Sequence, residues 1–533
     1  MTPPPDGPVK VLVKEKIADS GVDLLRENFE VDLGLEMSDE ELGDAIASYD
    51  AILIRSATQM TPELIELARN LKVIGRAGTG VDNVDVPAAT RRGIIVANAP
   101  GSNMVSAAEH AVGLLLAMAR NIPQAHAALK EGRWERGRFG GIEVCGKTLG
   151  VLGFGRIGQL VASRAQGLGM HVIAHDPFVS PERFRETQVM QAGLDELLAA
   201  ADFITLHAPL TPETEHLVRA ETIAKMRPGV RIVNAARGGL VDLDALVDGL
   251  QSGHVAGAAL DVFPDEPYTS GRIFELDNVV LTPHLGASTQ EAQDRAGLIV
   301  AEQVAAALNG DVVSNAVNVP VMPAEDRELV GPYVALGMQL GVLASGLADA
   351  NPERIEVITS GSLAEADTRM LTTAVLTGAL AQRSDEAVNL VNARAVAEGR
   401  GIRVLESADP SAGDYTNLLT VRVIPGESVS GTTIGRDNRS WLIAVGAYQV
   451  EIELGDNMLV MLNDDRPGMI GRVGTLLGEQ SVNIANMNVS RHARGEAAVM
   501  VLTIDTRPSQ AALERLRGEP GIRSVRAVTL HPM

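Results

Sequence analysis

One cysteine, Cys145, stands in 533 residues. It leaves no intrachain disulfide available and suits a reducing cytoplasm. Aromatic residues make up only 3%, so Ala, Val, Leu and Ile must build the cores. Positive charge is also short: 46 Lys and Arg face 68 Asp and Glu, a formal net charge of −22. Nucleic acid and anionic membrane both require a basic face, so neither is a general partner, and only a local basic pocket for a small anion stays open. No Cys/His cluster has the spacing of a structural metal site, and no metal is expected. The stretch Met1 to Pro8 lacks the apolar core of a signal peptide and reads as a frayed tail. One uncharged run, Leu329 to Ala348, has the length of a membrane span. It contains Pro332, Gln339 and four glycines and lacks basic or aromatic flanks, so it reads as a buried or subunit-facing helix.

What is present centres on Gly153-Phe154-Gly155-Arg156-Ile157-Gly158. The apolar run Leu149 to Leu152 leads into it, and helix-period positions (Ile157, Leu160, Val161, Ala165, Leu168) follow. In such a turn Gly153 permits the sharp bend, Gly155 lets the backbone approach a pyrophosphate, and Gly158 lets helix and strand pack closely. The helix N-terminus offers unpaired N–H groups and a positive dipole end to the phosphates. A second strand, Met170 to His175, ends in Asp176, eighteen residues after Gly158. An acid there accepts hydrogen bonds from a ribose 2′-OH and favours NAD over NADP.

At this length three or four domains are expected. Short apolar runs at Val9–Val13, Val31, Ala51–Ile54, Leu71–Ile74 and Ile94–Ala97 alternate with helical patterns, the mark of a parallel α/β sheet. Ser106 to Arg120 reads as a helix, with Ser106 and Glu109 spaced as a capping box. It leads into the nucleotide domain, whose further strands are Phe203–His207, Arg231–Ala235, Val255–Asp261 and Asn278–Thr282. Ser288 and Glu291 cap a long helix stopped by Asn309-Gly310, which returns the chain to the first domain. Asn318 to Pro323 resembles a linker. An α+β segment follows, and a final βαββαβ unit begins at Met458. The expected domains are residues 9–105 with 290–318, 106–289, 325–452 and 456–533.

Three charged groups follow strands of the nucleotide domain: Arg237 in N-A-A-R-G-G, Glu266 in D-V-F-P-D-E-P and His284 in T-P-H-L-G-A-S-T. Singly, they could be a surface charge, a turn residue and a histidine held by backbone groups. Together they suit hydride transfer at a 2-hydroxy acid. NAD exchanges the hydride, so the protein needs only an anion clamp and a proton carrier. An arginine fork grips a carboxylate, histidine titrates near neutrality, and a carboxylate orients that imidazole.

With these motifs the chain resembles the D-2-hydroxyacid dehydrogenases over nearly its whole length. Arg76 to Asp85 and the two-part tail narrow the resemblance to the long-form 3-phosphoglycerate branch, with an intervening domain and an ACT domain. The fold implied is two Rossmann-like or flavodoxin-like parallel-sheet domains, then an α+β domain and the βαββαβ ACT unit. The resemblance implies that Arg237, Glu266 and His284 are catalytic. It implies NAD contacts at Thr79, Gly153, Gly155, Arg156, Ile157, Gly158, Asp176, Ala208, Ala235, Ala236, Arg237, Asp261 and the turn His284, Leu285, Gly286, Ala287. Substrate contacts fall at Arg55, Ser56 and Asn103. The implied reaction is NAD-dependent oxidation of 3-phosphoglycerate to 3-phosphohydroxypyruvate, the entry to serine synthesis, in a homodimer or homotetramer. Asp465 and Asn483 match positions that bind the effector L-serine across paired ACT domains; Asn463 departs from the family's frequent His or Tyr.

A doubly charged phosphate calls for more cations than Arg237 and Arg55. Arg133 to Arg138 is either that source, reaching in from a partner subunit, or a solvated basic loop. Arg383, Arg436 and Arg439 are either an anion site of the intervening domain or surface arginines. Two other functions fit the nucleotide domain: a sister dehydrogenase acting on glycerate, lactate or formate, and an NAD-sensing corepressor. The two-part tail argues against both.

Overall fold

Short apolar strands build the first sheet because both of its faces are covered, which favours continuous rather than alternating hydrophobic runs. The computed structural model describes residues 8–530 except 312, 321, 324, 382, 385 and 386. Residues 1–7 of the expected tail and Val321 of the expected linker lie outside the described residues. Strands β1 (Lys10–Val13), β2 (Glu30–Leu33), β3 (Ala51–Ile54), β4 (Val73–Arg76) and β5 (Ile95–Asn98) pair in parallel, in the order β2-β1-β3-β4-β5. Leu12, Ile52 and Ile74 face one core with Leu42 and Ile65. Val11, Leu53 and Val73 face the other with Leu25, Val300 and Val304. The last two belong to helix Gln290–Asn309, which packs against this sheet.

The second sheet holds β6 (Thr148–Leu152), β7 (His171–His175), β8 (Met190–Gln191), β9 (Phe203–Leu206), β10 (Val230–Asn234), β11 (Val255–Leu260) and β12 (Val279–Leu281). All pair in parallel, in the order β12-β11-β10-β9-β6-β7-β8. The winding reverses between β6 and β9. In open α/β sheets the ligand crevice lies beyond the strand C-termini at this reversal.

Two helices join the sheets, and both begin elsewhere than the sequence suggested. The first is Met104–Ala119, with Asn103 at the N-cap position and no side-chain cap bond. Ser106 and Glu109 are therefore inside the helix and form no capping box. The Ser106 hydroxyl lies 2.7 Å from Thr289 Oγ1, and Glu109 pairs with Arg164. The return helix is capped by Thr289 rather than Ser288, with Thr289 Oγ1 accepting from Ala292 N–H. It ends as expected at Gly310, which is left-handed.

The third sheet contains β13 (Arg354–Gly361), β14 (Arg403–Asp409), β15 (Asn417–Ile424), β16 (Ser428–Ile434), β17 (Arg439–Val445) and β18 (Tyr448–Glu453), ordered β14-β13-β15-β16-β17-β18. Only β13 and β14 pair in parallel. Helix Arg327–Leu347 is, among the described residues, the one long and apolar enough to cross a membrane. It packs instead on helix Arg369–Ala381 and this sheet, with Leu336, Leu340 and Leu343 fully buried. The last unit, β19 (Asn457–Asp464), β20 (Ile484–Arg491), β21 (Ala497–Ile504) and β22 (Ile522–Thr529), is antiparallel in the order β20-β21-β19-β22. Leu459 and Met461 face its two helices. Met458 and Val460 face the preceding core, so alternate residues of β19 serve different layers.

Candidate active site

The glycine turn after β6 divides its work among three positions. Gly153 has φ +92, and a Cβ there would stand 2.6 Å from the backbone of His207 and 2.7 Å from Ala208 N. A Cβ at Gly158 would meet Gly153 O at 2.2 Å. Gly155 has nothing within 4 Å and begins helix Arg156–Gly167. The backbone is thus open only where unpaired helix N–H groups face outward, which fits a pyrophosphate. Asp176, at the end of β7, is tied to this turn: its Oδ2 accepts from Phe154 N–H at 2.8 Å and its Oδ1 from Phe178 N–H at 2.9 Å. Ile157 lies in the first helical turn, and Arg156 Nη1 reaches toward Gly101 beyond the first sheet.

Three adjacent strands deliver the charged groups. After β10, buried Asn234 donates to Arg237 O at 2.9 Å and accepts from Ala236 N–H at 3.1 Å, which shapes the turn Ala235–Arg237. Arg237 Nη2 lies 3.6 Å from Asp82 Oδ2, so it reaches the loop that follows β4. After β11, Glu266 Oε1 accepts from Phe263 N–H at 3.0 Å. After β12, His284 Nδ1 lies 2.6 Å from Glu266 Oε2. A carboxylate can only accept, so Nδ1 holds the proton and Nε2 of the neutral ring keeps a lone pair.

Asp261 is fully buried. Its Oδ1 accepts from Thr282 Oγ1 at 2.6 Å and Leu285 N–H at 2.7 Å, and its Oδ2 from Gly286 N–H at 2.8 Å. Its backbone carbonyl accepts from His284 N–H at 2.8 Å. Burial raises its pKa, yet hydrogen bonds from His110, Thr282 and Leu285 outweigh that and hold it below the usual carboxylate range. Ser288 N–H closes the turn onto Leu285 O, enclosing Ala287. Nothing in the sequence singles out His110, which shares its helix with the polar residues Ser106 and Glu109.

On the first sheet, Arg55 and exposed Ser56 follow β3. Glu15 accepts from the N–H groups of Arg55 and Thr58 at 2.9 Å and of Ala57 at 3.2 Å. Although burial works the other way, these bonds lower the Glu15 pKa. Asn83 donates to Arg55 O and Thr58 O from the opposite side. Thr79 Oγ1 donates to Asn103 Oδ1 at 2.9 Å, joining two expected contact residues. Arg76, at the end of β4, was also missed. Burial lowers its pKa, Asp82 opposes this, and the charges of Arg237 and Arg55 lower it further. Three guanidinium groups therefore share one field. Their common placement at strand ends was the available signal.

Several other candidates are already engaged within the chain. Arg133 pairs with Glu131 and Glu135, and Arg138 with Glu135 and Asp277. Arg383 donates to Ser345 O at 2.6 Å, Ala348 O at 2.8 Å and Ala350 O at 2.7 Å, closing the C-terminus of helix Arg327–Leu347. Arg439 pairs with Glu453. In the last unit Asp465 accepts from Arg491 at 2.5 Å and Gly495 N–H at 3.2 Å, and the Arg491 guanidinium lowers its pKa. Asn483 donates to Asp505 at 2.8 Å. Asn463 is 3% exposed; it donates to Asp464 O, while its Oδ1 has no partner among the described residues.

Comparison with known proteins adds independent findings. Residues 112–286 match the NAD binding domain of D-isomer specific 2-hydroxyacid dehydrogenases. Residues 329–445 match the D-3-phosphoglycerate dehydrogenase intervening domain, and residues 457–521 match the ACT domain. The D-3-phosphoglycerate dehydrogenase of Synechocystis is 43% identical over 98% of this chain and 95% of its own. That of Methanocaldococcus jannaschii is 43% identical over 98% of this chain and 100% of its own. Among solved structures, D-lactate dehydrogenase from Aquifex aeolicus, complexed with NAD and lactic acid, is 28% identical with a TM-score of 0.51. It covers 58% of this chain and 99% of its own. A protein from Thermus thermophilus is 36% identical with a TM-score of 0.53, covering 58% of this chain and 100% of its own.

Proposed function

The chain belongs to the D-3-phosphoglycerate dehydrogenases, oxidoreductases of the D-isomer specific 2-hydroxyacid dehydrogenase family with an NAD-binding domain, and from this premise we propose how its residues perform the reaction. The reaction is oxidation of 3-phospho-D-glycerate to 3-phosphohydroxypyruvate, the entry to serine synthesis. The observation that carries the assignment is the 2.6 Å pair of His284 and Glu266 at neighbouring strand ends.

NAD, when bound, accepts the hydride that leaves substrate C2. Gly153, Gly155, Gly158, Arg156 and Ile157 would hold its pyrophosphate, and Asp176 its ribose. Ala208, Ala235, Ala236 and the turn Leu285–Ala287 would line the rest of its cleft. His284 Nε2 takes the proton of the C2 hydroxyl, and Glu266 keeps Nδ1–H in place and stabilises the imidazolium that forms. Arg237 grips the carboxylate and polarises the developing carbonyl. Arg55, Ser56, Asn103 and Thr79 supply the first domain's side of the cleft. Arg76 adds a cation for the doubly charged phosphate, with Arg133 to Arg138 of a second subunit as a further source.

The same reading divides the chain at 9–105 with 290–318, 106–289, 325–452 and 456–533. It gives the ACT unit a regulatory role, with L-serine held near Asp465 and Asn483 between two copies of a homodimer or homotetramer. The test is NADH formation from 3-phosphoglycerate against D-glycerate, with and without L-serine. Preference for the phosphorylated acid supports the assignment, and preference for glycerate overturns it.

A further inference from the structure

Helix Met104–Ala119 and its cap present three polar groups at spacing i, i+3, i+7, one face of a helix. Asn103 accepts from Thr79 at 2.9 Å, and Ser106 Oγ lies 2.7 Å from Thr289 Oγ1 at the start of the return helix. His110 Nε2 lies 3.1 Å from Asp261 Oδ1 and 3.2 Å from Thr282 Oγ1. One helix face thus runs from the expected substrate loop to the turn that carries His284.

The proton at His110 can be placed from its partners. Thr282 spends its only hydroxyl proton on Asp261 Oδ1 at 2.6 Å. Both oxygens facing His110 Nε2 are therefore acceptors, and Nε2 must donate. The carboxylate that receives this bond organises the whole turn, through Leu285 N–H, Gly286 N–H and, by its backbone carbonyl, His284 N–H. His284 itself has φ +56. A residue with a side chain stays in the left-handed region only when its surroundings hold it there.

We propose that His110 is a positioning residue for hydride transfer: its Nε2–H fixes the Asp261 carboxylate and Thr282, and through them the His284 turn. The inference rests on His284 being the proton carrier. It assigns no substrate contact to His110, so its loss should appear in kcat rather than in KM.

The test uses the full-length chain with 3-phospho-D-glycerate and NAD, with kcat expressed per NADH-binding site so that unfolded protein does not count. His110→Phe keeps a ring without a donor, His110→Leu is a second donor-free variant should the first fail to fold, and His110→Gln restores a donor at similar reach. A misplaced reacting group costs up to about a hundredfold. The donor-free variants should lose about tenfold or more in kcat with the KM for 3-phospho-D-glycerate within about threefold, and Gln should stay within about threefold of wild type. Wild-type kcat in Phe or Leu, an equal fall in Gln, or a change confined to KM overturns the proposal. His284→Ala run in parallel separates the two readings. If that variant is active, the proton-carrier assignment fails; if it is inactive while Phe and Leu turn over normally, only the role of His110 fails.

Discussion

The Asp176 carboxylate and the backbone N–H of Phe154 are hydrogen-bonded at 2.8 Å, so the acid that ends β7 and the glycine turn that ends β6 form one unit. Asp176→Ala should therefore do more than remove a ribose acceptor. Loss of one charge-assisted bond corresponds to about 1.5–3 kcal/mol, so the KM for NAD should rise about tenfold or more. Discrimination against NADP should relax as the negative charge goes. Steady-state kinetics with both cofactors checks this; an unchanged preference would show that Asp176 does not read the ribose.

Gly155 and Gly158 separate binding from stability. A Cβ at Gly158 would stand 2.2 Å from Gly153 O, whereas Gly155 has open space and an ordinary backbone conformation. Gly158→Ala should lower stability by about 1–3 kcal/mol, the usual cost of overpacking. Gly155→Ala should fold like wild type and lose NAD affinity. Urea unfolding beside NADH fluorescence titration distinguishes them, and equal stabilities would contradict the packing argument.

The half-buried imidazole of His207 gives the fold a specific acid sensitivity. Desolvation lowers its pKa from 6.5 to about 4, and its Nε2 lies 2.9 Å from Thr205 Oγ1. The folded value lies below the unfolded one. Its contribution is thus complete above about pH 6.5 and is lost as pH falls toward about 4, up to about 3 kcal/mol. His207→Gln keeps a hydrogen-bonding group but cannot titrate. Unfolding free energies at pH 7 and pH 4.5 should differ less in this variant than in wild type; equal differences would remove His207 as the cause.

Regulation makes a separate prediction. L-serine should bind with measurable heat and inhibit turnover, and Asn483→Ala should abolish the inhibition. Calorimetry without heat, together with uninhibited turnover, would leave the ACT unit as an assembly module.

Much of this site was legible because strand ends are locally encoded. Apolar runs such as Ala51–Ile54 announce buried parallel strands, and the residue types just beyond them (Arg55, Arg237, His284) announce chemistry. The glycine spacing likewise carried its own geometry. What escaped depends on partners distant in sequence. His110 is just one of the polar residues near the start of an otherwise apolar helix until Asp261 and Thr282 are folded against it, and Glu15 is an ordinary acid until the 55–58 loop caps it. Helix starts were misjudged because Ser106 and Ser288 fit local capping patterns. Ser106 lies inside one helix, its hydroxyl 2.7 Å from Thr289 Oγ1, and Thr289 itself caps the other.

The most direct measurement is NADH production from 3-phospho-D-glycerate by His284→Ala beside wild type, with NADH binding confirmed for both. The account predicts a loss of about a thousandfold or more in kcat, since the proton carrier and its Glu266-oriented imidazole disappear together. Turnover within tenfold of wild type would contradict it.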